Sequence, residues 1–278
     1  MQDLKNIATQ VRRDIIRMVN GVASGHPGGP LGSADFLVAL YFEIMRPDPE
    51  NFDMNGKGED LFFLSNGHLS AGWYSVLAHY GYFSPKELST FRKLNSRLQG
   101  HPATCEGLPG IRMSSGSLGQ GCSVAIGAAL AKRLNHDDHR VYCLMGDGEL
   151  QEGQNWEAFM FAPARGLDNL IAVVDYNKQQ IDGPLAEVLD LGDLTAKFRA
   201  FGWNTLEMNG NDMEEVVKTL HQVQSLTGKG KPVIIIMHTH MGFGVDFMLD
   251  NHAWHGSPPS DEQARTALAQ LEETLGDY

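Results

Sequence analysis

Apolar residues recur at three-to-four spacing through Leu4, Ile7, Val11, Ile15, Met18 and Val22, which predicts a helix over residues 3–23. Similar or alanine-rich runs predict helices from Ser33, as N-cap, to Met45, and over 70–80, 119–134, 152–165, 193–201 and 212–226. Ser260-Asp261-Glu262-Gln263 opens a last one, expected to reach Leu275. Ser84-Pro85-Lys86-Glu87 has the residues of a further capping box. Short unbroken apolar runs predict strands at 60–65, 141–145, 169–174, 203–208 and 232–237. Loops are expected at 24–32, 95–118 and 176–192. Strands alternating with helices predict an α/β fold: a doubly wound, mainly parallel sheet with helices on both faces. No repeat, low-complexity tract or linker interrupts it, so residues 1–278 are expected to form one domain.

Two of these strands lead straight into polar residues. Val141 to Met145 runs into Gly146-Asp147-Gly148, and Leu170 to Val174 runs into Asp175-Tyr176-Asn177. The helix between them makes a strand–helix–strand unit, whose right-handed crossover sets the strands parallel with both carboxyl ends on one edge. Asp147 brings a carboxylate and Asn177 an amide oxygen, and the glycines let backbone approach a ligand. Such a set suits a hard cation that shares its shell with phosphate oxygens and water, with the backbone carbonyl of Gln179 completing the protein's part. The first turn of helix 152–165 adds N–H groups and a positive dipole end. Asp147 also suits a simple helix N-cap, but that role leaves the glycines and Asn177 unexplained.

Of the 11 histidines, His26, His68, His101 and His252 sit in loops rich in Gly or Pro, whereas His79, His136, His139 and His221 lack such a context and read as structural or surface residues. The formal net charge of −12, with no basic stripe, argues against a nucleic-acid partner. The N-terminal residues do not read as a signal peptide, and no apolar run approaches the length a membrane helix needs. Cys105, Cys122 and Cys143 are odd in number without metal-type pairing, which fits reduced thiols in the cytoplasm.

Seven blocks, in order along the chain, resemble the transketolases: Ser24-Gly25-His26-Pro27-Gly28-Gly29, Ser65-Asn66-Gly67-His68, Gly100-His101-Pro102, Gly116-Ser117-Leu118-Gly119-Gln120-Gly121, Gly146 to Gly153, Asn177 to Gly183, and His252-Ala253-Trp254-His255-Gly256. Thr239-His240-Met241-Gly242-Phe243-Gly244 also matches a family loop, Thr-x-x-Gly-x-Gly. The resemblance implies thiamine diphosphate and Mg²⁺ (Ca²⁺ or Mn²⁺ as substitutes), with Asp147, Asn177 and Gln179 on the metal. It implies cofactor contacts from His68, Gly116, Ser117, Leu118, Gly148, Glu152, Asn177 and His252. His26, His68, His101 and His252 are expected to line the channel to the reacting carbon and to act there in catalysis. Ser117 stands where many transketolases have proline, and His238 where relatives often have lysine; the roles of His238, His240 and His255 stay open.

The resemblance covers only the diphosphate-binding half of a full transketolase. It implies a two-chain enzyme that moves a two-carbon ketol unit from a ketose to an aldose. A C-terminal partner subunit would bring the pyrimidine-binding domain and an activating glutamate, giving an α2β2 heterotetramer. The sugar is open: pentose phosphates, a branched sugar phosphate or a sulfonated sugar. Rival readings are an α subunit of a 2-oxo-acid dehydrogenase, which lacks the Leu-Gln-Glu-Gly continuation and the Ser-Gly-His-Pro-Gly block, a 1-deoxyxylulose-5-phosphate synthase-like enzyme, which carries its site in one chain, and a non-catalytic binding protein, which has no need of the loop histidines.

Overall fold

The computed structural model describes residues 1–278. In chain order its elements are α1 (Gln2–Gly21), α2 (Gly28–Ala39), β1 (Leu61–Leu64), α3 (Ser70–Tyr80), α4 (Gly121–Leu134), β2 (Val141–Gly146), α5 (Gly153–Ala164), β3 (Leu170–Tyr176), β4 (Gln179–Gln180), β5 (Gly183–Pro184), α6 (Leu185–Leu189), α7 (Leu194–Phe201), β6 (Asn204–Asn209), α8 (Met213–Leu226), β7 (Val233–His238) and α9 (Asp261–Gln270). Five strands form one sheet in the order β1-β2-β3-β7-β6, every neighbouring pair parallel. The parallel doubly wound sheet is therefore as expected. β4 and β5 form a separate antiparallel hairpin inside the expected 176–192 loop.

Alternation along the strands sorts the core into two layers. Tyr142, Leu144, Ile171, Val173, Val233 and Ile235 point toward α1, α2, α3, α8 and α9. Val141, Cys143, Met145, Leu170, Ala172, Val174, Ile234 and Ile236 point toward α4, α5 and α7. Strands buried on both faces need continuous apolar runs, which is why these were legible as strands. Each fully buried Val, Leu or Ile contributes about 1.5–3 kcal/mol over an exposed one.

Three expectations are corrected. α2 begins at Gly28, not Ser33. Pro30 sits in its first turn, where the N–H groups have no intrahelical partner and a proline costs nothing. Ser33 is thus a helical residue, and its hydroxyl donates across to Asp175 at 3.0 Å. At Ser84 no capping box forms: Pro85–Thr90 is a 3-10 turn without a side-chain cap, and Glu87 instead takes both a Nε and a Nη2 hydrogen of Arg97, at 2.9 and 2.8 Å. α9 carries the capping box expected at Ser260 and Gln263 but stops at Gln270, because Leu271 turns extended and Thr274 bonds back to α1. No helix is long and apolar enough to cross a membrane. All three cysteines are free thiols, Cys122 and Cys143 buried and Cys105 exposed.

Candidate active site

Parallel strands end on one edge, and there β1, β2 and β3 hand over to loops that enclose a cavity of about 260 Å³. Its wall includes Asp147, Asn177 and Gln179, the three residues expected to hold a cation. Gly146 lies level with Asp175 in the β2–β3 register, which brings the two strand tips side by side. Asp147 is 2% exposed. Its Oδ1 accepts from the Gly148 N–H at 2.7 Å and its Oδ2 from the Lys178 N–H at 2.6 Å. Lys178 takes a left-handed φ of 63°, a sharp bend that folds Gln179 back toward the cavity. Asn177 donates to Asp175 at 3.3 Å, and its amide oxygen accepts from Gln179 N–H at 2.9 Å. Asp175 in turn accepts from Ser33 of α2 and from Thr239 after β7.

Burial, with the Asp175 carboxylate beside it, pushes the Asp147 carboxyl up to about 8. Burial pushes Asp175 up to about 6 against its hydroxyl and amide donors. Two buried carboxylates this close call for a positive charge between them and a ligand. No three His, Cys, Asp or Glu side chains gather as a metal site. The available set of one carboxylate, an amide oxygen and backbone suits Mg²⁺ with phosphate oxygens rather than zinc. Asn66 also lines the cavity, and both its amide nitrogen and oxygen are buried without a partner. Buried polar groups rarely go unpaired, so Asn66 marks a wall shaped for a polar ligand. These residues fit a cation-bridged diphosphate.

His26, His68 and His101 come together in the same cavity, as expected, but the fourth histidine is His255 rather than His252. Ring centroids lie 5.3 Å apart for His26 and His68, 6.0 Å for His26 and His101, 5.7 Å for His26 and His255, and 5.0 Å for His68 and His255. His252 is exposed in a 3-10 turn and does not reach the cavity; the chain enters it only after that turn. Burial first, then His255, Arg92 and His101, lowers His26 to about 4. Burial holds His68 well below the ordinary imidazole value, and lowers His255 too. His101, solvent-exposed at the rim yet packed on its inner side, is lowered by burial and by Arg92. The cluster is therefore neutral near pH 7, each ring with one donor and one acceptor nitrogen, apt for shifting protons between hydroxyls.

Gly116 and Leu118 line the cavity, Gly116 with φ 141° and its missing Cβ only 3.1 Å from the His101 ring. Gly148 lines it as well. Ser117 is exposed and outside the wall, its hydroxyl accepting from Gln120 at 3.4 Å. Glu152 is exposed at the start of α5 and also lies off the wall. The turn that faces the cavity is the 3-10 segment Gly148–Gln151 rather than the first turn of α5. His238 pairs with Glu207 at 3.0 Å and His240 with Asp250 at 2.9 Å, both in a neighbouring groove. Sequence reasoning missed Asn66, Glu149 and Asp175. Asn66 and Glu149 lay within recognised blocks, and Asp175 is an acid at the end of an apolar strand, so all three carried some signal.

Residues 4–276 match the family described as transketolase, thiamine diphosphate binding domain. The 6-deoxy-6-sulfo-D-fructose transketolase subunit SqwG of a Clostridium species is 39% identical over 270 residues, covering 97% of this chain and 96% of that protein. An apulose-4-phosphate transketolase subunit of Phocaeicola vulgatus is 38% identical, covering 95% and 92%. The structure of transketolase from Leishmania mexicana superposes with a TM-score of 0.90 at 31% identity, over 99% of this chain and 42% of that one. The chain thus matches the relatives called subunits nearly end to end, and spans about two fifths of the longer transketolase. By sequence, length and fold it belongs to the transketolase family of transferases, as the thiamine diphosphate binding domain.

Proposed function

We propose that the chain is the cofactor-binding subunit of a two-chain transketolase, moving a two-carbon ketol unit from a ketose to an aldose in the cytoplasm. The observation that carries this is one cavity shared by Asp147, Asn177 and Gln179 on one side and by neutral His26, His68 and His101 on the other. When bound, thiamine diphosphate supplies the nucleophilic carbon on which a ketose carbon–carbon bond is broken and remade. Asp147, Asn177 and the Gln179 backbone would hold Mg²⁺ against its diphosphate, and Gly116, Leu118 and Gly148 let backbone pass close to it. His26, His68, His101 and His255 would accept and return protons on sugar hydroxyls. Residues 1–278 act as a single diphosphate-binding domain, and a partner chain supplies the pyrimidine-binding domain and the activating glutamate in an α2β2 particle.

The relatives named for a sulfonated hexulose and for apulose 4-phosphate, each matched over more than nine tenths of its length, favour a specialised donor as the second reading. The test is thiamine diphosphate titration with Mg²⁺, alone and with the partner, followed by turnover of pentose phosphate, branched and sulfonated donors. Binding that needs Mg²⁺ and ketol transfer only with the partner are expected. Appreciable turnover by the pure chain would overturn the two-chain assignment, and decarboxylation of a 2-oxo acid would overturn the reaction.

A further inference from the structure

Glu149 lies in the turn between Asp147 and α5, is 2% exposed, and has no place in the cation set. Its Oε1 accepts from the Gly119 N–H at 2.7 Å and from the Ser65 hydroxyl. Its Oε2 accepts from the Gly146 N–H at 3.1 Å. Ser65 Oγ accepts in turn from the Gly121 N–H at 3.0 Å. One carboxylate therefore gathers the end of β1, the glycine loop before α4 and the tip of β2, while α4's first residue hangs from the same hydroxyl. Gly116 and Leu118 of that loop, and Gly146 and Gly148 across from it, are walls of the cavity. The loop's other side-chain tether is weaker, the exposed Gln154 amide donating to the Leu118 carbonyl at 3.3 Å.

We propose that Glu149 is a positioning residue whose carboxylate locks the 116–119 loop to the β2 tip and so sets the width of the cavity that receives thiamine diphosphate. This rests on the cofactor site proposed above and adds the group that preorganises it. Three donors converge on Glu149, so only a proton-free acceptor with two oxygens satisfies all of them. A glutamine keeps one oxygen for Ser65 and Gly119 and turns its NH₂ against the Gly146 N–H. Leaving a buried donor unpaired penalises the arrangement even where the shape is kept.

The test measures residue-resolved amide exchange in the full chain and thiamine diphosphate affinity at saturating Mg²⁺ with the partner subunit present. In Glu149→Gln, Gly119 should stay protected while Gly146 exchanges faster, and cofactor affinity should fall by about tenfold, the size of one lost bond to a charged group. The turnover number at saturating cofactor should change little, so that the loss sits in the cofactor's half-saturation. In Glu149→Ala, Gly119 and Gly121 should both exchange faster and affinity should fall further. Cofactor affinity within twofold of wild type in Glu149→Gln, or unchanged exchange at Gly146 in that variant, overturns the inference. Should Glu149→Ala not fold, Glu149→Gln decides alone. Wild-type protein that binds no thiamine diphosphate would instead refute the cofactor site, with the exchange measurements still judging the clamp.

Discussion

The Lys178 N–H donates to Oδ2 of Asp147 across 2.6 Å, so the carboxylate that faces the cavity also stitches the tip of β3 to the tip of β2. The Asp147 N–H completes the seam by donating to the Asp175 carbonyl at 3.1 Å. The left-handed bend at Lys178, which costs a residue with a side chain roughly 1–3 kcal/mol, is held by this bond. Asp147→Asn removes the charge while nearly keeping the shape. Mg²⁺-dependent binding of thiamine diphosphate should weaken about 100-fold or more by calorimetry, and the metal-free chain should melt lower, because the amide NH₂ leaves either the Gly148 or the Lys178 N–H unpaired. Wild-type affinity in this variant would remove Asp147 from the metal.

Acidity offers a second handle. The folded Asp147 carboxyl titrates near 8, against about 3.9 when unfolded, so between those values the folded chain binds more protons than the unfolded one. Stability of the metal-free chain should therefore fall as pH rises through that range. His26 acts oppositely between about 4 and 6.5, because its folded value is the lower one and its contribution is lost on acidification. The carboxylate trend is clearest from about pH 6.5 to 8. Melting curves across that interval should slope downward for wild type, lie flat for Asp147→Asn, and lose their slope when Mg²⁺ and cofactor are added.

Substitution of single histidines separates the ring cluster from its exposed neighbour. His26→Ala should lower kcat/KM of the reconstituted enzyme by about 10²–10⁴, the usual worth of a positioned acid–base group. His255→Ala should cost far more activity than His252→Ala. The reverse order would restore His252 to the channel.

Gly116→Ala forces an L side chain into φ 141° and places its Cβ 3.1 Å from the His101 ring. Roughly 1–3 kcal/mol of destabilisation is expected in denaturant, together with weaker cofactor binding. Unchanged stability and binding would mean the loop relaxes freely.

Ligand linkage provides a check that needs no substrate. Thiamine diphosphate with Mg²⁺ at about 100 times its dissociation constant should stabilise the chain by about 2.7 kcal/mol, and a chelator should reverse this. A melting temperature that ignores both would count against the site.

Much of this was legible because it rests on patterns the chain must carry. Strands such as Val141 to Met145 and Leu170 to Val174 are buried on both faces and so read as unbroken apolar runs. The crossover between them then placed Asp147 and Asn177 on one edge. Orientation within loops left no such trace. His252 and His255 share one irregular segment, and spacing cannot say which ring turns inward. Glu149 sits inside a recognised block, yet the block gives no sign of its role, since its three donors come from residues 65, 119 and 146, brought close only by folding. Gly28 to Gly32 looked like a loop because of its glycines and Pro30, although a first helical turn tolerates them all.

The sheet under this cavity is anchored in both core layers, whereas the histidines proposed to meet a sugar stand on segments beyond its strand tips. Exchanges in those segments can thus retune what such a site accepts while the scaffold stays put, which accords with two subunits 38–39% identical to this chain being named for different sugars.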